Sequence, residues 1–98
     1  MVTTTEHDKG SRLAEAVTDN KTDNRFELTI DGHTAFLLYE RRPQALALIH
    51  TEVPEALRGR HLGDALAKAA IDVARADGIR IVPVCPFVQA YLHKHPLE

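Results

Sequence analysis

The apolar residues of this chain change period once, between Val53 and Leu62, and that change limits what the chain can fold into. Before it, Phe26, Leu28 and Ile30 alternate with Arg25, Glu27 and Thr29, the two-residue period of a half-buried strand. Asp31-Gly32 follows, and both positions tolerate positive φ, so a two-residue hairpin turn is expected. His33–Glu40 returns as a second strand, with Phe36 and Leu38 on one face and Ala35, Leu37 and Tyr39 on the other. After a turn around Pro43, Ala45–Val53 forms a third strand. Leu46, Leu48, Ile49 and Val53 make it apolar on both faces, as in a covered central strand.

After the change, Leu62, Ala65, Leu66, Ala69, Val73 and Ala76 recur at helical spacing. Asp64 and Lys68 stand four apart as an acid-before-base pair. Gly78 sits where a helix-ending glycine belongs. Ile79–Val84 is a fourth strand that Pro83 should loosen, because proline donates no ladder hydrogen bond. A short helix runs from about Pro86 to His93, with proline at a tolerated first position. The expected fold is α/β (α+β): an antiparallel three-strand meander, then a right-handed βαβ crossover with parallel strands. Parallel pairing brings Thr51, Glu52 and Val53 near Val84 and Cys85, at the sheet edge where the long helix begins. Ligands bind at that edge in open α/β sheets.

At 98 residues the chain should hold one domain. Residues 1–24 are polar and read as a flexible tail, leaving 25–96 as the domain. No apolar stretch is long enough to span a bilayer, and the start lacks a signal peptide's apolar core, so a cytoplasmic protein is expected. A formal net charge of -2 gives no field for nucleic acid. The local cluster of Arg58, Arg60 and His61 suits a small polyphosphate instead. Cys85 is the single cysteine and can form neither an internal disulfide nor a Cys-rich zinc site. His93 and His95, two apart, cannot share a helix face, and His7 and His33 lie far off in sequence, so no metal site is expected.

The chemistry concentrates in Arg58-Gly59-Arg60-His61-Leu62-Gly63-Asp64, between a strand and a helix. A helix start offers unpaired N–H groups and partial positive charge, which phosphate can accept together. Gly59 and Gly63 let the backbone approach a bulky anion, and the two arginines add charged forks. An ordinary helix start with solvated arginines fits this local pattern equally well.

The wider stretch narrows the choice. Arg58-x-x-His61-x-Gly63, with His50-Thr51-Glu52-Val53-Pro54 before it and Val82-Pro83-Val84-Cys85-Pro86-Phe87-Val88 after it, resembles the small, roughly hundred-residue members of the GNAT N-acetyltransferase superfamily. The resemblance spans Phe26 to His95. It implies a minimal GNAT fold with splayed parallel strands, binding acetyl-coenzyme A. Thr51 and Val53 would border the pantetheine arm, and Arg58, Gly59, Arg60, His61, Leu62, Gly63 and Asp64 would cradle the pyrophosphate. His61 stands where the family usually has glycine.

The implied function is acetyl transfer to a primary amine of a small molecule or a protein. A non-catalytic acyl-coenzyme A-binding or sensor module is the alternative. The tight Asp31-Gly32 turn supports it, since it leaves out the helices that usually build the acceptor pocket. Three residues are candidates for chemistry. His50, placed by strand alternation on one face with Leu46 and Leu48, is either a hydrogen-bonded structural histidine or a general base. Glu52 is the rival base. Cys85 precedes a helix start that would lower its pKa, yet a lone cysteine also serves as a small buried hydrophobe. An unpaired edge near Arg25–Ile30 leaves the oligomeric state open.

Overall fold

The computed structural model describes residues 13–96. One five-stranded sheet runs in chain order: β1 Thr18–Asn20, β2 Arg25–Ile30, β3 His33–Arg42, β4 Ala45–Glu52 and β5 Arg80–Pro83. The pairs from β1 to β4 are antiparallel and β4–β5 is parallel. A short 3-10 turn at Glu55–Leu57 leads into helix α1, Leu62–Asp77, which connects β4 to β5; helix α2, Pro86–Lys94, follows. This is the expected minimal architecture with one strand more.

The extra strand, β1, comes from the polar stretch expected to be tail. Residues 1–12 of that stretch lie outside the described residues. From residue 13 onward the chain turns, with Ala16 N–H donating to Leu13 O at 2.9 Å. Thr18–Asn20 then pairs with Arg25–Glu27. Asn20 sets the connection, because its Oδ1 accepts from Asp23 N–H at 3.1 Å and its amide reaches Glu27 at 3.0 Å. The β2 edge that sequence left open is therefore covered over residues 25–27. The opposite edge is blunted. Pro83 has no N–H, and its carbonyl accepts from Gln89 Nε2 at 3.0 Å. The β2–β3 hairpin closes through Asp31 and Gly32 at φ 53° and 79°, as their types predict.

The core lies on one face of the sheet. Phe26, Leu28, Ala35, Leu37, Tyr39, Leu46 and Leu48 bury against Leu57, Leu62, Ala65, Leu66, Ala70 and Ala74. Deep burial in α1 thus falls on Ala70 and Ala74, while Ala69 and Val73 are partly covered and Ala76 is exposed. Ala67 and Ile71 are also buried, on the helix row of Gly63, which faces α2 through Phe87. The row toward α2 pulls the buried stripe round from its expected line. The charge pairing differs as well. Lys68 pairs with Asp72 at 3.1 Å, whereas Asp64 approaches His61 Nδ1 at 3.7 Å. Gly78, at φ 69°, ends α1 as expected; its N–H returns to Arg75 O and that of Ile79 to Ala74 O. No described helix is long and apolar enough to cross a membrane.

Candidate functional site

β4 changes character halfway along. Ala45–Leu48 pairs on both sides, with β3 and β5, and is buried on both faces. Beyond Leu48 the parallel partner is lost. Val84 N–H and Cys85 N–H both donate to Leu48 O, at 3.0 and 2.9 Å, so β5 ends there while β4 continues to Glu52 along β3. Pro83 marks that divergence, at the strand end where its missing donor was expected to loosen pairing.

At the same level β4 carries a bulge. Leu38 pairs with His50 and Tyr39 with Leu48, so Ile49 has no partner on β3. One inserted residue inverts the alternation that follows. Leu46 and Leu48 lie on the core face. His50 pairs with Leu38 and Glu52 with Phe36, on the opposite face. This corrects the expectation that His50 shares a face with Leu46 and Leu48. Thr51, paired with core-facing Leu37, returns to the core side instead.

The bulge thereby sorts the candidates into two groups. On the outer face His50 Nε2 and Glu52 Oε1 meet at 3.0 Å, both about half exposed. A carboxylate only accepts, so Nε2 carries the hydrogen in this contact. Beside them Arg25 lies 4.6 Å over the Phe36 ring. On the core side Thr51 Oγ1 and Cys85 Sγ meet at 3.5 Å, with Cys85 only 3% exposed. Burial pushes the Cys85 thiol up, but the hydrogen bond with Thr51 and the backbone N–H groups of Val88 and Phe87 outweigh it and hold the thiol below its ordinary value. Cys85 is thus placed at the start of α2, as expected, but sealed from the outer face.

Between the end of β4 and the start of α1 lies an open cavity of about 460 Å³. Thr51, Glu52, Val53, Arg58, Gly59, His61, Leu62, Gly63 and Asp64 line it. Arg60, expected in this group, is not among the lining residues, and neither are His50 and Cys85. Leu57 and Phe87 are, and periodicity gives no sign of either place. Leu57 closes the 3-10 turn and is fully buried, pinning the loop to the core. Arg58 Nε donates to Val53 O at 3.1 Å, which ties the loop back to the strand end.

The donor set fits a polyphosphate. His61 precedes α1 without a side-chain cap, so the first-turn N–H groups have no internal partner. Gly59, at φ 81°, has open space where a Cβ would project, so a bulky anion can approach its backbone. His61 itself holds φ 66°, a left-handed conformation that costs any residue with a Cβ. Gly63 is different, because its Cβ would meet the Phe87 ring at 2.7 Å. The glycine there accommodates an aromatic ring, a reason the spacing could not reveal. Tyr91, one turn further along α2, stacks on His95 at 4.4 Å rather than lining the cavity. Among the described residues no three His, Cys, Asp or Glu side chains gather as a metal site, and His7 lies outside them.

Comparison with known proteins agrees with this architecture. Residues 25–98 match the GCN5-related N-acetyl-transferase family. The chain is 37% identical over 76 residues to Protein NATD1 of Xenopus tropicalis, covering 74% of this chain and 70% of that protein. Protein NATD1 of Mus musculus shows the same identity over 76 residues, covering 74% and 69%. That of Danio rerio is 35% identical over 83 residues, covering 82% and 76%. The family match takes in every element from β2 to α2, and this chain belongs to the GCN5-related N-acetyltransferase family.

Proposed function

We propose that this protein is an acetyl-coenzyme A-dependent N-acetyltransferase acting on a primary amine. The observation that carries this is the β4 bulge at Ile49. It turns His50 to the outer face, while Glu52, the residue bonded to its imidazole, also lines the donor-rich cavity at the strand end. Arg58, Gly59 and the first-turn N–H groups of α1 would hold the cofactor's phosphates, and Thr51 and Val53 would border its arm. Bound acetyl-coenzyme A supplies an activated acyl carbon as a thioester.

The chain's own residues supply the proton chemistry. Glu52 accepts the Nε2 hydrogen of His50 and orients the ring. Nδ1 then takes a proton from the attacking amine, and Glu52 stabilises the imidazolium that forms. Cys85 takes no acyl group here. Its thiol is buried on the core side with Thr51, away from the imidazole. Arg60 stays in solvent as a general positive charge near the loop. A cytoplasmic setting suits the chain's free cysteine.

A non-catalytic acyl-coenzyme A binder is the alternative. The two-residue Asp31-Gly32 hairpin favours it, because no helix is inserted between β2 and β3 to wall an acceptor pocket. One experiment separates the two. Coenzyme A binding is titrated by calorimetry, and free-thiol release from acetyl-coenzyme A is followed over a panel of small and peptidyl amines. Binding with turnover that falls roughly a hundredfold in His50→Gln supports the transferase. Binding without turnover on any amine supports the sensor. Turnover that depends on Cys85 but not on His50 would overturn the assignment of roles.

A further inference from the structure

We propose that Phe87 is a further cofactor-binding residue, the apolar wall against which the aliphatic pantetheine arm of coenzyme A lies, and that Gly63 is glycine in order to seat its ring. The proposal rests on the acyl-coenzyme A reading above and adds to it a residue and a chemical reason.

Two large apolar side chains are exposed among the described residues, Val84 and Phe87. Phe87 is 40% exposed, on the first turn of α2. An aromatic ring left in water is informative when something holds it there. Here the first turn of α1 does. A Cβ on Gly63 would stand 2.7, 3.0 and 3.3 Å from three carbons of the Phe87 ring, so the ring rests directly on the Gly63 backbone. The far end of the ring is supported by Gly63, and Phe87 also lines the cavity.

The rest of the lining explains what the ring can receive. Arg58, Gly59, His61 and the first amides of α1 suit charged oxygens. Leu57 and Leu62 are fully buried and offer almost no surface. Phe87, together with partly buried Val53, therefore supplies the apolar wall that a ligand can reach. It follows the end of β5, whereas Thr51–Val53 belongs to the end of β4, and both line the same cavity. A molecule leaving the phosphate donors along this slot passes between a strand end beyond the last β5 pairing and an apolar ring. An uncharged aliphatic arm with amide groups matches both walls; a second phosphate does not match the ring.

Calorimetric titration of the wild type, Phe87→Ala and Phe87→Leu with coenzyme A and with ADP tests this. ADP keeps the adenine and the diphosphate but lacks the pantetheine arm. Phe87→Ala should weaken coenzyme A on the order of tenfold and leave ADP within about twofold. Phe87→Leu, which keeps an apolar wall and guards against misfolding, should recover much of the loss. Gly63→Ala should weaken coenzyme A in the wild-type background by displacing the ring, and should cost little more once Phe87 is alanine. Unchanged coenzyme A affinity in Phe87→Ala overturns the proposal. So does an equal loss for ADP, which would place the ring against the adenine or the phosphates. A wild type that binds no coenzyme A fails at the earlier step, and is told apart because it fails before any substitution is made.

Discussion

Replacing Tyr39 with phenylalanine removes one oxygen from the centre of the fold and should reverse sign with pH. Tyr39 is 5% exposed, its ring lies 4.9 Å from that of Phe26, and its hydroxyl donates to Asp19 at 2.6 Å. Burial first, then the bond to Asp19 and its charge, push the phenol from an ordinary 10.0 up to about 12. A folded-state value above the unfolded one means stability that is fully present below pH 10 and lost as pH rises through 12. The full gap corresponds to about 2.7 kcal/mol, of which about 1.4 kcal/mol is lost by pH 11. At neutral pH the hydroxyl contributes about 1 kcal/mol, because partly buried Asp19 still reaches water when its donor is removed. Tyr39→Phe should therefore be less stable than the wild type at neutral pH by about 1 kcal/mol, equal to it between pH 10 and 11, and more stable at pH 12. Urea unfolding at a series of pH values measures the difference. Every other ionisable group is common to both proteins and cancels in the difference. A stability difference that stays flat from neutral pH to pH 12 would refute the idea that the Asp19 bond holds this proton.

Two further outcomes are expected from the site. His61→Gly removes a left-handed conformation costing roughly 1–2 kcal/mol, against about 0.4–1 kcal/mol for the freer unfolded chain. The thermal midpoint should rise by about 2–4 °C, and a fall would show that the His61–Asp64 contact outweighs the strain. Thr51→Val removes the hydrogen bond that most lowers the Cys85 thiol, so the midpoint of thiolate absorbance should move up in pH. An unmoved midpoint would leave the backbone N–H groups of Val88, Phe87 and Thr51 as the whole cause.

Much of the fold is legible in the sequence, because alternation and helical spacing report burial directly. Arg25–Ile30, His33–Glu40, the Asp31-Gly32 turn and the helix ended by Gly78 all follow from that, while the second strand runs two residues further, to Arg42. β1 is not legible, since Thr18–Asn20 has no apolar alternation. It is held by pairing with β2 and by the Tyr39–Asp19 bond, a contact between residues twenty apart in sequence. The place of Phe87 is hidden for a similar reason. Its partner Gly63 belongs to another helix, and a glycine in a phosphate-like loop already has a plausible local explanation.

The bulge at Ile49 is hidden more deeply and matters most for the chemistry. An inserted residue changes neither composition nor the apolar character of the strand; only pairing with β3 reveals it. Without it, uninterrupted alternation would put His50 on the core face with Leu46 and Leu48, against the α1 side. With it, His50 and Glu52 come to the outer face, on the strip formed by Phe36 and Leu38, while Thr51 turns inward to Cys85. A cofactor held at the start of α1 and an amine reaching His50 Nδ1 then need not share an entrance. On the proposed reading, Glu52, which touches the imidazole and lines the cavity, joins the two approaches. That arrangement needs no helix between β2 and β3, so the proposed transferase site fits within so short a chain.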